Sequence, residues 1–276
     1  MTIFRDGSIT LQGGTVLAYG ECGTGKPVLL LHGNPGSHAD WEGCAKLLSA
    51  RGFRCVAVDR PGHGNSGTVG SDPGAAAAAY ASLLRHLGGQ KALIVGYSMG
   101  AHFALDLAER HSDLVSGLAL VAPYLVPRDA AEKPSGLPGL LETPVIGSLL
   151  GLALPFLAGG KIRSHIEATF RPAVPAAGLV ERLTAECSGV NALKGMFRDK
   201  NLFLERCGTV NAAIGRISCP VLLVTGAGDE VSGTASAGLV GSALPAVKRS
   251  DVAGGGHALI WSHAGEVAEA IFTLFS

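Results

Sequence analysis

Ala92-Leu93-Ile94-Val95-Gly96-Tyr97-Ser98-Met99-Gly100-Ala101 passes from an apolar run through a serine between two glycines into a helix-forming stretch. The run Ala92–Val95 is apolar at every position, as a strand covered on both faces must be. From Ala101 to His111 apolar residues recur at helical spacing. The turn between them is so short that side chains at Gly96 and Gly100 would collide with neighbouring backbone. A serine at the tip of such a strand–turn–helix projects its hydroxyl beyond the carboxyl end of the strand, the setting in which G-x-S-x-G presents a nucleophile. Elsewhere the same five letters make an ordinary turn; here the flanking elements nominate Ser98.

Outward from this segment, four more continuous apolar runs read as buried strands: Pro27–His32, Cys55–Asp59, Leu118–Ala122 and Val221–Thr225. Ala75 to Leu87, rich in Ala, Leu and Arg, reads as a helix between two of them. Strand and helix alternate, so the expected fold is α/β, a mostly parallel, doubly wound sheet. Between Pro123 and Arg216 the alternation stops, prolines recur and the composition is otherwise helical. We expect a helical cap (lid) inserted at 123–216, and a core made of 1–122 and 217–276.

Composition narrows the classes of function. Hydrophobic residues make up 47% of the 276 and charged residues 16%, enough apolar material for one large core. The 22 basic and 22 acidic side chains cancel, which leaves no electrostatic footprint for nucleic acid or an anionic membrane. The N-terminus lacks the basic start and apolar run of a secretory signal. The longest nearly apolar stretch, Val145–Ala158, is 14 residues long and is interrupted by Gly147, Gly151 and Pro155, whereas a membrane span needs about 20. Six scattered cysteines without a CxxC pair read as free thiols, and the expected location is cytoplasmic.

Two other glycine-rich segments imitate nucleotide sites. Gly20-Glu21-Cys22-Gly23-Thr24-Gly25-Lys26 approaches a P-loop, but Pro27 stands where a Ser or Thr must hold magnesium, and a strand follows instead of a helix. Gly62-His63-Gly64-Asn65-Ser66-Gly67 spells GxGxxG, yet turn-forming residues follow where a helix N-terminus must meet the pyrophosphate. Both read as turns, and no cofactor or metal is expected.

Taken together, the ordered motifs resemble the α/β-hydrolase family over nearly the whole chain, in particular its serine esterase and lipase-like members with a helical cap. Leu31-His32-Gly33-Asn34-Pro35-Gly36 is similar to the family's HGxPG segment, and Asp59-Arg60-Pro61-Gly62-His63-Gly64-Asn65-Ser66 to its D-x-P-G-x-G-x-S loop. The resemblance implies Ser98 as nucleophile and His257, after Gly254-Gly255-Gly256, as the base of the terminal loop. It implies Asp229, at the end of Pro220–Asp229, as the orienting acid, with Glu230 as its neighbouring rival and Asp129 a more distant one. The order Ser, Asp, His is that of the fold. The family's oxyanion donors fall on the backbone N–H groups of Asn34 and Met99.

The implied activity is hydrolysis of carboxylic esters through an acyl-enzyme, on a small-molecule substrate with an apolar part. The apolar part would meet Leu149, Leu150, Leu152, Leu154, Phe156 and Leu157 of the cap, which serve equally well as packing. A lactonase, thioesterase, carbon–carbon hydrolase or perhydrolase would use the same triad, and a slow-turnover receptor the same fold. Relatives that open epoxides or carbon–halogen bonds use an aspartate at the elbow, and Ser98 argues against both.

Overall fold

In the computed structural model of this chain the described residues are 2–276 except 71, 73, 130, 132, 137, 138, 141, 142 and 144–158. Among them, β1 (Arg5–Thr10), β2 (Val16–Cys22), β3 (Lys26–Leu31), β4 (Phe53–Val58), β5 (Ala92–Tyr97), β6 (Val115–Val121), β7 (Val221–Gly226) and β8 (Lys248–Val252) form one sheet. The order is β1-β2-β4-β3-β5-β6-β7-β8. β2 runs antiparallel to both of its neighbours, and every pairing from β4 to β8 is parallel.

The apolar runs predicted as strands are β3 to β7, and β5 is buried at all positions. The three strands that the apolar pattern does not single out lie toward the sheet's edges. β1 and β8 are mostly exposed and carry polar residues, as edge strands do, so no continuous run marks them.

Helices α1 (Glu42–Ser49) and α2 (Ala75–His86) follow β3 and β4, and α3 (Met99–Arg110) follows β5. Between β6 and β7 lie α4 (159–170), α5 (Leu179–Ser188) and α6 (Val190–Ala213). After β7 come α7 (Gly233–Ala243), then beyond β8 the short α8 (Leu259–Ser262) and the terminal α9 (Ala264–Phe275). One face of the sheet packs on α2, α3 and α6 through Leu83, Phe103, Leu107 and Phe203. The other packs on α1 and α9 through Leu48, Val267 and Ile271. Each such side chain removed from water is worth about 1.5–3 kcal/mol. The described part of 123–216 contains helices and no strand. Leu149 to Leu157, named above for the cap, fall outside the described residues.

The strand order reverses between β3 and β5. Their neighbouring carboxyl ends open a crevice between the two following loops, the place where open α/β sheets bind ligands. The loop after β3 carries Asn34, and the loop after β5 carries Ser98 and Met99. The approach of α3 to β3 is close enough to dictate glycine. A Cβ at Gly100 would lie 2.2 Å from the Leu31 carbonyl oxygen, and one at Gly96 would lie 2.5 Å from that of Gly100. Gly100→Ala is therefore expected to lower stability by about 3 kcal/mol, an overpacking cost. Gly238→Ala, whose Cβ meets nothing within 4 Å, should raise stability by about 0.5–1 kcal/mol through helix propensity. Thermal melts of the two variants check both signs.

Candidate active site

Ser98 sits between β5 and α3 with φ 52° and ψ −119°, a conformation rare for a residue with a side chain. Three backbone bonds hold it there. Its N–H donates to Val121 O (2.9 Å), and its carbonyl accepts from Ala101 (3.0 Å) and Tyr124 (3.1 Å). Strain of this kind persists where the surroundings over-determine it, and functional sites are where it clusters.

The loops after β7 and β8 are tied together by Gly228 N–H donating to Gly255 O (2.8 Å), and the His257 loop is tied to α4 by Ala258 N–H donating to Thr169 O (2.9 Å). His257 is buried. Its Nε2 lies 2.8 Å from Ser98 Oγ and its Nδ1 lies 2.9 Å from Asp229 Oδ2. A carboxylate only accepts, so Nδ1 carries the proton and Nε2 is left free to take one from Ser98. Asp229 also accepts from the N–H groups of Val231 (2.8 Å) and Ser232 (3.0 Å). The Ser232 hydroxyl donates to Asp229 Oδ2 at 2.6 Å, with its oxygen 3.1 Å from His257 Nδ1. Burial alone would raise the Asp229 carboxyl, but the hydrogen bonds from His257 and Ser232 hold it below the usual carboxylate range.

The structure thus brings Ser98, His257 and Asp229 together and leaves the rival acids out. Glu230 is exposed, and Asp129 is exposed with its carboxylate accepting from Ala131 N–H (2.8 Å). His263 immediately precedes α9, with Nδ1 2.9 Å from Ser262 Oγ.

Met99 opens α3, where the first N–H groups of a helix have no intrahelical acceptor and the helix dipole is positive. The Asn34 N–H follows β3 across the crevice, and neither N–H donates to another described residue. A cavity of about 670 Å³ is lined by Ser98, His257, Asn34 and Met99. Its wall is partly apolar, with Ile166, Leu183, Met196 and Phe203 among its residues. Asp40 gives it a polar corner; the Ser37 N–H donates to this carboxyl (3.1 Å), and burial pushes it up to about 7. His165 also faces the cavity.

Sequence reasoning did not find Ser232, Asp40 or His165. A serine three residues after an aspartate carries no signal of its own, and the other two reach the cavity only through the tertiary fold. Among the described residues no group of three or more His, Cys, Asp or Glu is placed to hold a metal ion. No described helix is long and apolar enough to cross a membrane.

Residues 28–270 match the alpha/beta hydrolase family. The chain belongs to this family. The non-heme haloperoxidase of Rhodococcus erythropolis is 35% identical to this α/β-hydrolase over 136 residues, 47% of this chain and 49% of that protein. The non-heme chloroperoxidase of Streptomyces lividans is 34% identical over 140 residues, 48% and 50% of the two chains. The chain thus spans about half the length of these curated relatives. A thermophilic esterase from Thermogutta terrifontis has the same fold, with a TM-score of 0.79 at 23% identity, covering 98% of this chain and 97% of its own.

Proposed function

We propose that this α/β-hydrolase cleaves carboxylic esters through an acyl-enzyme on Ser98. The observation that carries the reading is the unbroken line from Ser98 Oγ to His257 Nε2 (2.8 Å) and from Nδ1 to Asp229 (2.9 Å), at an elbow with positive φ. A serine hydroxyl is too weak an acid to attack by itself at neutral pH. His257 takes its proton as Oγ bonds to the carbonyl carbon, and Asp229 stabilises the imidazolium. The negative oxygen of the tetrahedral intermediate accepts from the N–H groups of Asn34 and Met99. Collapse breaks the bond to the alcohol, which leaves with the proton from His257. Water then attacks the acyl-enzyme, with His257 again moving the proton. The route uses no metal or organic cofactor.

In the same reading, 123–216 is the cap over the crevice, and Ile166, Leu183, Met196 and Phe203 contact the hydrocarbon part of a small-molecule ester. Rapid mixing with p-nitrophenyl butyrate should release one equivalent of p-nitrophenol in a burst before steady turnover. Along the series from acetate to octanoate, kcat/KM should rise about threefold to fourfold per carbon until the cavity fills. Absence of hydrolysis would sink the proposal, and a flat series would remove the apolar contact from it.

The relatives named haloperoxidase and chloroperoxidase favour a second reading of the same centre. Hydrogen peroxide in place of water would attack the acyl-enzyme, giving a peroxy acid and free Ser98. Peroxy-acid formation from acetate and hydrogen peroxide, lost in Ser98→Ala, tests it.

A further inference from the structure

The loop that carries the Asn34 N–H is held by a buried cation. Arg60 is fully buried, and its Nη2 donates to the Gly33 carbonyl oxygen at 2.6 Å. The same oxygen accepts from His32 Nδ1 at 2.8 Å, and His32 Nε2 in turn accepts the Arg60 N–H at 3.0 Å. Gly33 C=O and Asn34 N–H belong to one trans peptide group, so they point in opposite directions. Fixing the carbonyl toward Arg60 and His32 therefore aims the N–H away from them; Asn34 lines the cavity beside Ser98. A charge-assisted bond on the carbonyl also polarises the peptide and strengthens its N–H as a donor.

Arg60 is in turn placed by α6. Its Nη1 bonds to Asp199 Oδ2, which also lies 2.9 Å from His63 Nε2, and its guanidinium stands 4.8 Å from the Phe103 ring centroid. A second tie runs from Asn34 Nδ2 to the Met196 carbonyl of α6 at 2.9 Å. None of these contacts involves Ser98, His257 or Asp229.

We propose that Arg60, anchored by Asp199, is a positioning residue for the oxyanion donor: it holds the Gly33–Asn34 peptide with its N–H toward the reacting carbonyl, and so couples the seating of α6 to catalysis. The inference rests on the reading of Asn34 as that donor and Ser98 as nucleophile. Losing the clamp frees the peptide to rotate, which withdraws a donor from the transition state and leaves ground-state binding nearly untouched.

The test measures kcat, KM and the inhibition constant of an alkyl trifluoromethyl ketone. Ser98 Oγ adds to the ketone carbonyl, its proton passes to His257, and the resulting oxyanion reports on the donors. Arg60→Met should lose about 10²-fold in kcat and a similar factor in ketone affinity, with KM changed less than about threefold, the signature of a lost oxyanion donor. Asp199→Asn should lose both in the same proportion to a smaller extent, and it decides the matter if Arg60→Met does not fold. Arg206→Met breaks another buried bond from α6, to Asp106 at 3.2 Å, and should cost stability while leaving ketone affinity within about threefold. Folded Arg60 or Asp199 variants with wild-type kcat and ketone affinity would overturn the proposal, as would an equal loss in Arg206→Met. If Ser98→Ala itself keeps turnover, the underlying serine mechanism is what fails; if Ser98→Ala is inactive and Arg60→Met is silent, only the clamp does.

Discussion

His257→Ala is expected to lower kcat on p-nitrophenyl esters by about 10⁵–10⁶-fold, the scale seen when one member of a serine triad is removed. The size follows from the geometry. Nε2 is the group 2.8 Å from Ser98 Oγ that can accept its proton, and the same nitrogen must later protonate the alcohol. Without it the hydroxyl must lose its proton to water at neutral pH, and no base draws a proton from the water that attacks the acyl-enzyme. The residual rate over water should come from the two backbone donors and from substrate binding. Stability should change far less, because Asp229 keeps the N–H groups of Val231 and Ser232 and the Ser232 hydroxyl as donors. Steady-state kinetics alongside a thermal melt separates loss of chemistry from loss of fold.

Asp229→Asn is expected to cost about 10⁴ in kcat, with little change in KM. An asparagine in this position can turn its NH₂ toward His257 Nδ1. The imidazole then keeps its proton on Nε2, the nitrogen that faces Ser98, and cannot act as a base. Glu230→Gln should stay within about threefold, since an exposed carboxylate contributes little through solvent. The reverse pattern, a silent Asp229→Asn with a severe Glu230→Gln, would mean that the acid had been taken one residue early.

Much of this arrangement is legible in the residues because the constraints are local. Gly96 and Gly100 are demanded because a Cβ at either would strike a backbone carbonyl oxygen, so the elbow has a spelling. The central strands are buried on both faces and must be apolar throughout, which marks β3 to β7. β1 and β8 face water on most positions and leave no such mark. The Arg60–Asp199 contact joins residues 139 apart in the chain, and no spacing rule brings a loop arginine to an aspartate in a later helix. Ser232 is similar: only the turn around Asp229, closed by its two backbone donors, carries that hydroxyl to the carboxylate. Substrate preference is less legible still, since the cavity wall is assembled from α4, α5 and α6, whose side chains meet only after folding.

Fluorophosphonate labelling followed by peptide mapping tests the central claim most directly. Phosphonylation needs a serine oxygen activated by its base and an oxyanion site to receive the negative oxygen as fluoride leaves. The folded protein should take up one label per chain, on Ser98, with loss of ester hydrolysis in proportion and no labelling of Ser98→Ala. A label on any other residue, or full esterase activity after Ser98 is modified, would contradict the account.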